Sequence, residues 1–214
     1  MYANIKKALQ FLFSTSLGEL LTVVFSLFFR LPVPVTAVQI LWLNLITDPL
    51  SGAALALEKE EGDILHRPKQ KGLAKFFIDG QMIAHILLIG VTMAAGALYI
   101  YGVYYPASPI KAGTMALTLL AVFQWYNSLN CRFSHSSILN RRIFGNIYVW
   151  LAFGLNLIIQ FIAVSTPWSN KILRTTPLAV GEWVTVFVLA FSVILVDELR
   201  KLVLRRRLKN SALV

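Results

Sequence analysis

Stretches of apolar residues, each about as long as a membrane-spanning helix, recur six times along this 214-residue chain. They cover residues 8–29, 34–57, 77–104, 113–130, 146–166 and 180–199. A helix needs roughly 17 to 25 residues to cross the hydrocarbon core, and each stretch meets this length once frayed ends are allowed for. The pattern predicts an all-α fold: a polytopic membrane helix bundle with six transmembrane helices, in one domain over residues 1–204.

The charged residues are few and lie mostly on one side of this predicted bundle. Hydrophobic residues make up 57% of the chain and charged residues 14%, which excludes a water-soluble globular protein. Of the 20 Lys and Arg residues, only Arg30, Lys111, Lys171 and Arg174 fall in the outer connections. Because Lys and Arg concentrate on the cytoplasmic side, both termini are predicted to be cytoplasmic, with residues 205–214 as a basic tail.

The net charge of +10 raises the question of nucleic acid, but the motifs argue against it. No nucleic-acid-binding motif accompanies the charge, so we expect the basic tail to contact anionic lipid headgroups of the bilayer. Lys6 and Lys7 precede the first stretch as in a signal peptide, but that stretch is too long and a second span follows it. We therefore predict an integral multi-pass membrane protein, in the plasma membrane of a prokaryote or an organelle membrane of a eukaryote.

Residues with catalytic chemistry are sparse. The chain has no Gly-rich phosphate loop and no Ser/His/Asp set, and its three histidines are scattered. The single cysteine, Cys131, cannot form an internal disulfide, and we interpret it as a packing residue. The sequence therefore predicts no catalytic and no cofactor-binding residue within these 214 residues.

Two acids, Glu19 and Asp48, stand inside the first two apolar stretches. If the first helix runs from near Lys7 to Arg30, the rise of about 1.5 Å per residue puts Glu19 near the middle of the membrane. A carboxylate in hydrocarbon costs about 3 kcal/mol even on lenient scales, so an acid at that depth normally faces a cavity, a proton or a cation. We interpret the pair as part of a path for positive ions.

Neutral oxygen-bearing side chains accompany Asp48 on the second helix. Asn44, Thr47 and Asp48 stand at positions i, i+3 and i+4. This spacing predicts an amide, a hydroxyl and a carboxylate on one helix face. Pro49 follows, and its missing amide hydrogen frees the carbonyl of Leu45 to serve as an ion ligand. Oxygen-only ligand sets are preferred by Ca²⁺, with Mn²⁺ next, and the lack of sulfur and imidazole counts against copper and zinc.

Two other helices add polar side chains. Thr15 and Ser16 are expected to share the helix face of Glu19, and Gln124 begins a polar stripe with Asn127 on the fourth helix. In membrane helices such neutral groups more often hydrogen-bond between helices than bind ions, so Ser16 and Gln124 are secondary candidates. The principal candidate ligands are four residues: Glu19, Asn44, Thr47 and Asp48.

Five motifs resemble the P-type cation-transporting ATPases, in the type II calcium or calcium/manganese branch. They are YANIKKALQFLFSTSLGE (2–19), QILWLNLITD (39–48), DILHRP (63–68), TMALTLLAVFQWYNSLNCR (114–132) and VDELRK (196–201). The resemblance covers essentially the whole chain, and the WxNLxTD core is its most specific part. It implies that the six spans correspond to helices five to ten, the C-terminal transmembrane domain, of a ten-helix pump.

The resemblance also assigns ion ligands. It implies one ligand on the fifth pump helix, Glu19, and three on the sixth: Asn44, Thr47 and Asp48. Ser16 stands where the reticulum-type calcium pumps carry an asparagine, and Gln124 stands where they carry a glutamate. These two departures imply a single ion per cycle, as in the secretory-pathway branch.

Several parts of such a pump lie outside these 214 residues. The phosphorylated aspartate of the DKTGT motif, the nucleotide-binding domain, the actuator loop and the fourth-helix proline-glutamate motif are absent from the sequence. The resemblance implies a membrane module of a longer protein, partnered by the missing N-terminal half in the same chain or as a separate subunit. Ca²⁺ or Mn²⁺ would be the transported ion. The chain alone is not expected to hydrolyse ATP, because ATP and Mg²⁺ would act only through the absent domains.

Other functions stay open on the residues alone. An orphan or truncated non-enzymatic membrane protein, a small passive channel or a proton-linked carrier could contain the same acids. A proton pump fits less well, since a proton needs one carboxylate and this chain clusters several neutral oxygens around Asp48. Ca²⁺ and Mn²⁺ both accept all-oxygen sites, so ligand type alone does not separate them.

Overall fold

The computed structural model describes residues 2–58, 79–133, 137–138 and 141–211. Across these ranges the chain is helical and contains no strand, which confirms the predicted all-α fold. The DILHRP motif at residues 63–68 lies outside the described residues. The contacts below therefore belong to the helices and to their short connections.

The N-terminal half contains two long helices with a broken helix between them. Helix α1 spans Tyr2–Phe28, and α4 spans Gly80–Tyr104. Between them, α2 (Ala37–Trp42) and α3 (Asp48–Ala56) are joined by a π-helical turn, Leu43–Thr47. The second predicted span, residues 34–57, is thus helical but interrupted in its middle.

The C-terminal half is built around α5, which spans Pro109–Arg132. A 3₁₀ turn, Arg141–Gly145, leads to α6 (Ile147–Ser165), and a short helix, α7 (Pro167–Leu173), follows where only a loop was expected. Helix α8 spans Val180–Ser211, so it begins where the last span was predicted and continues far beyond residue 199. The first seven residues of the predicted basic tail extend this helix.

Side-chain caps explain where several helices begin. At four helix starts a side-chain oxygen accepts a hydrogen bond from a backbone N–H of the first turn: Thr36, Asp79, Ser108 and Asn146. These residue types satisfy amides that have no partner within the helix, and they stabilise a helix start by about 1 kcal/mol each. Pro109 follows one of these caps and occupies the first turn of α5, where its missing N–H costs nothing.

Four helices are long and apolar enough to cross a membrane, within the ranges that the structure describes. They are Ala3–Phe28, Gly80–Tyr104, Ile147–Ser165 and Val180–Arg206. The π-turn divides the second predicted span into short helices, and α5 carries too many polar residues to meet the same criterion. Four of the six predicted spans are therefore supported by length and composition, and the six-span topology with cytoplasmic termini stays a prediction.

Helix α5 differs from the other long helices because protein surrounds it. It packs against α1, α3, α4, α6 and α8, and 19 of its 24 residues are buried. Its polar residues therefore meet other side chains and not lipid, which explains how a helix of low hydropathy can stand at the centre of an apolar bundle. Cys131, near its C-terminal end, is 1% exposed, as expected for a packing residue.

Two glycines bring α1 and α4 into close contact beside Glu19. A Cβ atom on Gly18 would lie 2.9 Å from the Cβ of Met93, and one on Gly90 would lie 2.9 Å from the Cγ of Leu17. Both positions exclude a larger side chain unless the helices separate. Small residues at such contacts are typical of packed membrane helices, because they let the backbones approach.

Polar contacts gather several helix ends on one side of the bundle. Arg132, at the end of α5, forms a two-pronged ion pair with Glu58 after α3, with both N···O distances 3.0 Å. Asn4, near the start of α1, donates to the backbone carbonyl of Glu58 at 2.5 Å. Lys6 pairs with Asp79 at the start of α4 at 2.6 Å. The starts of α1 and α4 thus lie with the ends of α3 and α5.

Candidate cation site

The structure brings the two predicted acids to the interface of α1, α3 and α5. Glu19 is 3% exposed and Asp48 is 1% exposed. The side-chain amide of Gln124 donates to Oε1 of Glu19 at 2.7 Å, and the amide of Asn44 donates to Oε2 of Glu19. The hydroxyl of Thr15 donates to Oδ2 of Asp48 at 2.8 Å. Both acids are therefore held by neutral donors from neighbouring helices.

Thr47 joins the same group of side chains. It is buried, and its hydroxyl lies 3.2 Å from Oε1 of Gln124 and 2.8 Å from the carbonyl oxygen of Leu43. Gln124 therefore connects Thr47 to Glu19. We refer to the following side chains as the acid cluster: Thr15, Glu19, Asn44, Thr47, Asp48 and Gln124.

One secondary candidate falls outside the acid cluster. Ser16 lies on the exposed side of α1, whereas its neighbour Thr15 is fully buried and contacts Asp48. Successive residues of an α-helix are rotated by about 100°, so one position separates an inward from an outward side chain. The expectation that Thr15 and Ser16 both share the face of Glu19 is thus correct for Thr15 and wrong for Ser16.

The π-turn changes the geometry expected for the second helix. The backbone N–H of Asp48 bonds to the carbonyl of Leu43, five residues earlier, in place of the four-residue spacing of an α-helix. Thr47 and Asp48 then face the interior, while Asn44 lies at an exposed position and reaches inward only with its amide. The prediction that all three share one α-helical face is therefore corrected. Pro49, next in the chain, has no N–H to give, which favours an irregular hydrogen-bond pattern here.

The electrostatics of the acid cluster are unusual for a buried site. Among the described residues, no Lys, Arg or His side chain pairs with Glu19 or Asp48. One carboxylate oxygen of Asp48, Oδ1, is buried and receives no hydrogen bond in the described part of the chain. Buried charges are normally paired, so this arrangement favours a positive charge that comes from outside the chain.

The ligand set is made of oxygen atoms around two acids. No group of three or more His, Cys, Asp or Glu side chains that could hold a metal occurs within the described ranges. The acid cluster instead combines two carboxylates with the neutral oxygens of amides and hydroxyls. Hard cations accept such mixed oxygen sets, whereas zinc and copper sites are normally built on nitrogen and sulfur.

Sequence reasoning missed two amides on α6. Asn156 donates to the carbonyl oxygen of Thr47 at 3.3 Å, and Gln160 accepts from the indole of Trp42 at 3.2 Å. A signal was present, because these are the two amide side chains of an otherwise apolar span and they stand four residues apart. Asn127, part of the predicted polar stripe, instead donates to Ser14 at 2.6 Å and ties α5 to α1.

An all-helical bundle with apolar spans and a buried acid pair defines the class: an integral membrane protein with a polar site between its helices. Comparison with known proteins then gives the family. The chain belongs to the family described as "Cation transporting ATPase, C-terminus", which it matches over residues 32–203.

Three relatives show how far the similarity extends. The chain is 30% identical to a Bacillus subtilis "Calcium-transporting ATPase" over 87% of its length and 21% of the relative's. It is 31% identical to the Saccharomyces cerevisiae "Calcium-transporting ATPase 1", over 97% of the chain and 22% of the relative. It is 30% identical to the Mus musculus "Calcium-transporting ATPase type 2C member 2", over 94% and 22%. The chain thus spans about a fifth of the length of these relatives.

Proposed function

We propose that this chain is the membrane part of a P-type ATPase that transports a divalent cation. In this proposal Glu19, Asn44, Thr47 and Asp48 bind the ion, with Gln124 as a further ligand and Thr15 holding Asp48. The observation that carries the proposal is the buried pair of carboxylates, Glu19 and Asp48, for which the described residues provide hydrogen bonds but no positive charge.

A divalent ion balances this pair in charge. Two ionised carboxylates repel each other strongly in a medium of low dielectric constant, and two positive charges between them remove that repulsion. A single proton would neutralise one acid only and needs one carboxylate, whereas a metal ion can also use the neutral oxygens of Thr47, Asn44 and Gln124 as ligands. The number of neutral oxygens therefore favours a metal ion over a proton.

Calcium is the ion that the proposal names first, with manganese as the alternative. Ca²⁺ takes six to eight oxygen ligands, typically at about 2.3–2.6 Å. The relatives named above are calcium-transporting ATPases, and this supports Ca²⁺. Asn44 lies on an exposed position, so the acid cluster is open there to ligands from outside the chain.

The partner that supplies those ligands is, in this proposal, the remaining part of a longer pump. The chain accounts for 21 to 22% of its relatives' lengths, and ATP hydrolysis with Mg²⁺ would take place in parts outside it. All six predicted segments cross the membrane, with both termini on the cytoplasmic side and the basic end of α8 against lipid headgroups. The contacts that gather the starts of α1 and α4 with the ends of α3 and α5 support this alternation.

The test isolates the protein from its native membranes with an antibody against residues 205–214. A polypeptide several times larger than 24.0 kDa, with ATP hydrolysis stimulated by Ca²⁺ or Mn²⁺, is the expected result. A product near 24.0 kDa that binds neither ion would overturn the proposal and favour an orphan membrane protein. Passive Ca²⁺ flux without ATP in reconstituted vesicles would favour a channel, and flux driven by a proton gradient would favour a carrier.

A further inference from the structure

Two amides on α6 lie against the broken helix that carries half of the acid cluster. Asn156 and Gln160 are both 0% exposed, although α6 is otherwise an apolar span. A spacing of four residues places them on one face of the helix, one turn apart. Amides inside a membrane helix are costly unless they are hydrogen-bonded, so their partners indicate what the two residues do.

Asn156 hydrogen-bonds to the C-terminal end of the π-turn and to the helix that follows it. Its Nδ2 atom donates to the backbone carbonyl of Thr47 at 3.3 Å and to the hydroxyl of Ser51 at 3.1 Å. Thr47 is the last residue of the π-turn, and Ser51 lies one helical turn further on. Asn156 therefore fixes the C-terminal side of the turn, directly beside Asp48.

Gln160 binds the other side of the same turn. Its Oε1 atom accepts from the indole N–H of Trp42 at 3.2 Å, and its Nε2 atom donates to the hydroxyl of Thr118 on α5 at 3.3 Å. Trp42 is the residue immediately before the π-turn. Asn156 and Gln160 thus contact the two ends of the turn and connect one of them to α5.

We propose that Asn156 and Gln160 are positioning residues that hold the π-turn in place, so that Thr47 and Asp48 face the acid cluster. We call the pair the amide clamp, and its role rests on the proposed function above. A π-turn contains one more residue than the α-helical turn it replaces. Its conversion to an α-helix would rotate the residues before the turn by about 100° relative to Asp48, which would change the position of Asn44 relative to Asp48 and Glu19.

Pro49 explains why the turn needs support from another helix. A proline at this position cannot donate a hydrogen bond to the preceding turn, so the backbone around it loses part of its own stabilisation. The bonds from α6 replace that support on each side of Leu43–Thr47. Through Thr47 and Asp48, the amide clamp would set the distance between the ligands on the broken helix and Glu19 on α1.

The test measures equilibrium binding of radioactive Ca²⁺ to the full-length protein that carries this chain, purified in detergent. Asn156→Leu is expected to weaken the apparent affinity roughly tenfold with unchanged maximal binding, which corresponds to about 1.4 kcal/mol, the size of one hydrogen bond. Ser51→Ala removes one acceptor and leaves Asn156 in place, and we expect roughly threefold weaker binding. The ratio of Ca²⁺ to Mn²⁺ affinity should shift in both variants, because ligand spacing changes.

Asn130→Leu is the matched control. Asn130 is a buried amide that donates to a backbone carbonyl, that of Val193, at 3.1 Å, but this bond joins α5 to α8 and not to the broken helix. Its replacement should lower thermal stability about as much as Asn156→Leu and change Ca²⁺ affinity less than twofold. Equal losses of affinity in Asn130→Leu and Asn156→Leu would overturn the amide clamp, since a general loss of packing would explain both.

The remaining outcomes separate the amide clamp from the proposed function. A wild-type protein that binds neither Ca²⁺ nor Mn²⁺ would overturn the proposed function and the clamp with it. A wild-type protein that binds Ca²⁺, with both Asn156→Leu and Ser51→Ala within twofold of its affinity, would overturn the clamp alone. If Asn156→Leu does not fold, Ser51→Ala decides, because loss of one hydroxyl leaves the packing nearly unchanged.

Discussion

Two regions of this protein bury carboxylates in opposite ways. Asp197, on α8, is 0% exposed and is surrounded by basic groups: Nδ1 of His85 at 2.9 Å, Nε of Arg200 at 2.7 Å and Nζ of Lys201 at 2.8 Å. The acid cluster buries Glu19 and Asp48 with amides and hydroxyls alone. The first region therefore has its own counter-charges, and the second lacks them among the described residues.

If Glu19 and Asp48 bind a cation as proposed, this difference separates a structural acid from an ion-binding one. Burial and hydrogen bonding are similar in the two regions, so neither property separates them. The separating property is the charge of the partners, because a carboxylate that the fold already neutralises has little affinity left for an external ion. A buried acid with neutral partners is destabilising until a cation arrives, and such a cost is kept only where it has a use.

The largest effect on ion binding and activity is expected from Asp48→Asn. The substitution removes one negative charge from the proposed site, so the apparent Ca²⁺ affinity of the full-length protein should fall by roughly a hundredfold or more. Cation-stimulated ATP hydrolysis should disappear with it. Equilibrium Ca²⁺ binding measures the first effect, with Asp79→Asn as a control for the same chemical change at an exposed helix cap. Unchanged affinity in Asp48→Asn would remove Asp48 from the site.

Asp197→Asn should lower the stability of the protein, whereas Asp48→Asn should lower its ion affinity. Among the described residues, the change leaves buried Lys201 with Glu198, at 3.3 Å, as its one negative partner, and loss of one partner of a buried ion pair costs about 3–5 kcal/mol. Thermal unfolding in detergent measures this loss. The double variant Asp197→Asn/Lys201→Met should recover most of it, because both charges are then gone. A double variant as unstable as the single one would show that packing, and not charge, is lost.

Whereas Asp197→Asn should lower the stability of the protein, Glu19→Gln should not lower it when no cation is present. Removal of a buried acid without a basic partner should leave the free energy of unfolding unchanged or raise it by up to about 2 kcal/mol. Thermal unfolding in a chelator, compared with unfolding in excess Ca²⁺, checks this expectation. Wild-type protein should gain stability on adding Ca²⁺, and Glu19→Gln should gain much less. A clear loss of stability in chelator would place Glu19 with Asp197 among the structural acids.

The smallest effect concerns an acid at the bundle surface. Partial burial alone would raise the pKa of Asp79, but the hydrogen bonds from Lys6 and from the amide of Met82 outweigh it and lower the pKa. The contribution of this carboxylate to stability is therefore present above the ordinary Asp pKa of about 3.9. It is lost as the pH falls through the lower pKa of the folded protein. Because the pair is exposed to solvent, Asp79→Asn should cost less than about 1 kcal/mol.

Thermal unfolding at pH 7 and at pH 3 measures this last effect. The difference between wild type and Asp79→Asn should be smaller at pH 3, because part of the wild-type carboxylate is then protonated. Asp79→Ala should cost about 1 kcal/mol more than Asp79→Asn, since asparagine can still cap α4 and alanine cannot. An equal cost for both variants would mean that the cap contributes nothing.

The sequence predicted what depends on local pattern. Apolar length predicted six helical stretches, all of which are helical in the structure, although it did not predict α7. The depth of Glu19 and Asp48 marked them as unusual before any contact was known. Gln124, a secondary candidate from the sequence, donates to Glu19 in the structure. These inferences need only the period of a helix and the cost of an acid in hydrocarbon.

The sequence could not predict what depends on contacts between helices. Nothing local distinguishes Ser16 from Thr15 as the inward residue, because packing of α1 against its neighbours sets the rotation of the helix. The π-turn before Pro49 depends on bonds from α6, which is more than 100 residues away in the chain. Lone amides such as Asn156 look like ordinary interhelical contacts until their partners are known.

The burial of α5 has a consequence for how the protein reaches the membrane during synthesis. A segment with so many polar residues would enter a bilayer poorly by itself, because the insertion machinery tests each helix against lipid. Only four residues separate the end of α4 at Tyr104 from the start of α5 at Pro109. If α5 crosses the membrane as predicted, we therefore expect the two to leave the translocon as a hairpin, with the strongly apolar α4 helping to insert α5, whose side chains are mostly buried by protein once the bundle closes.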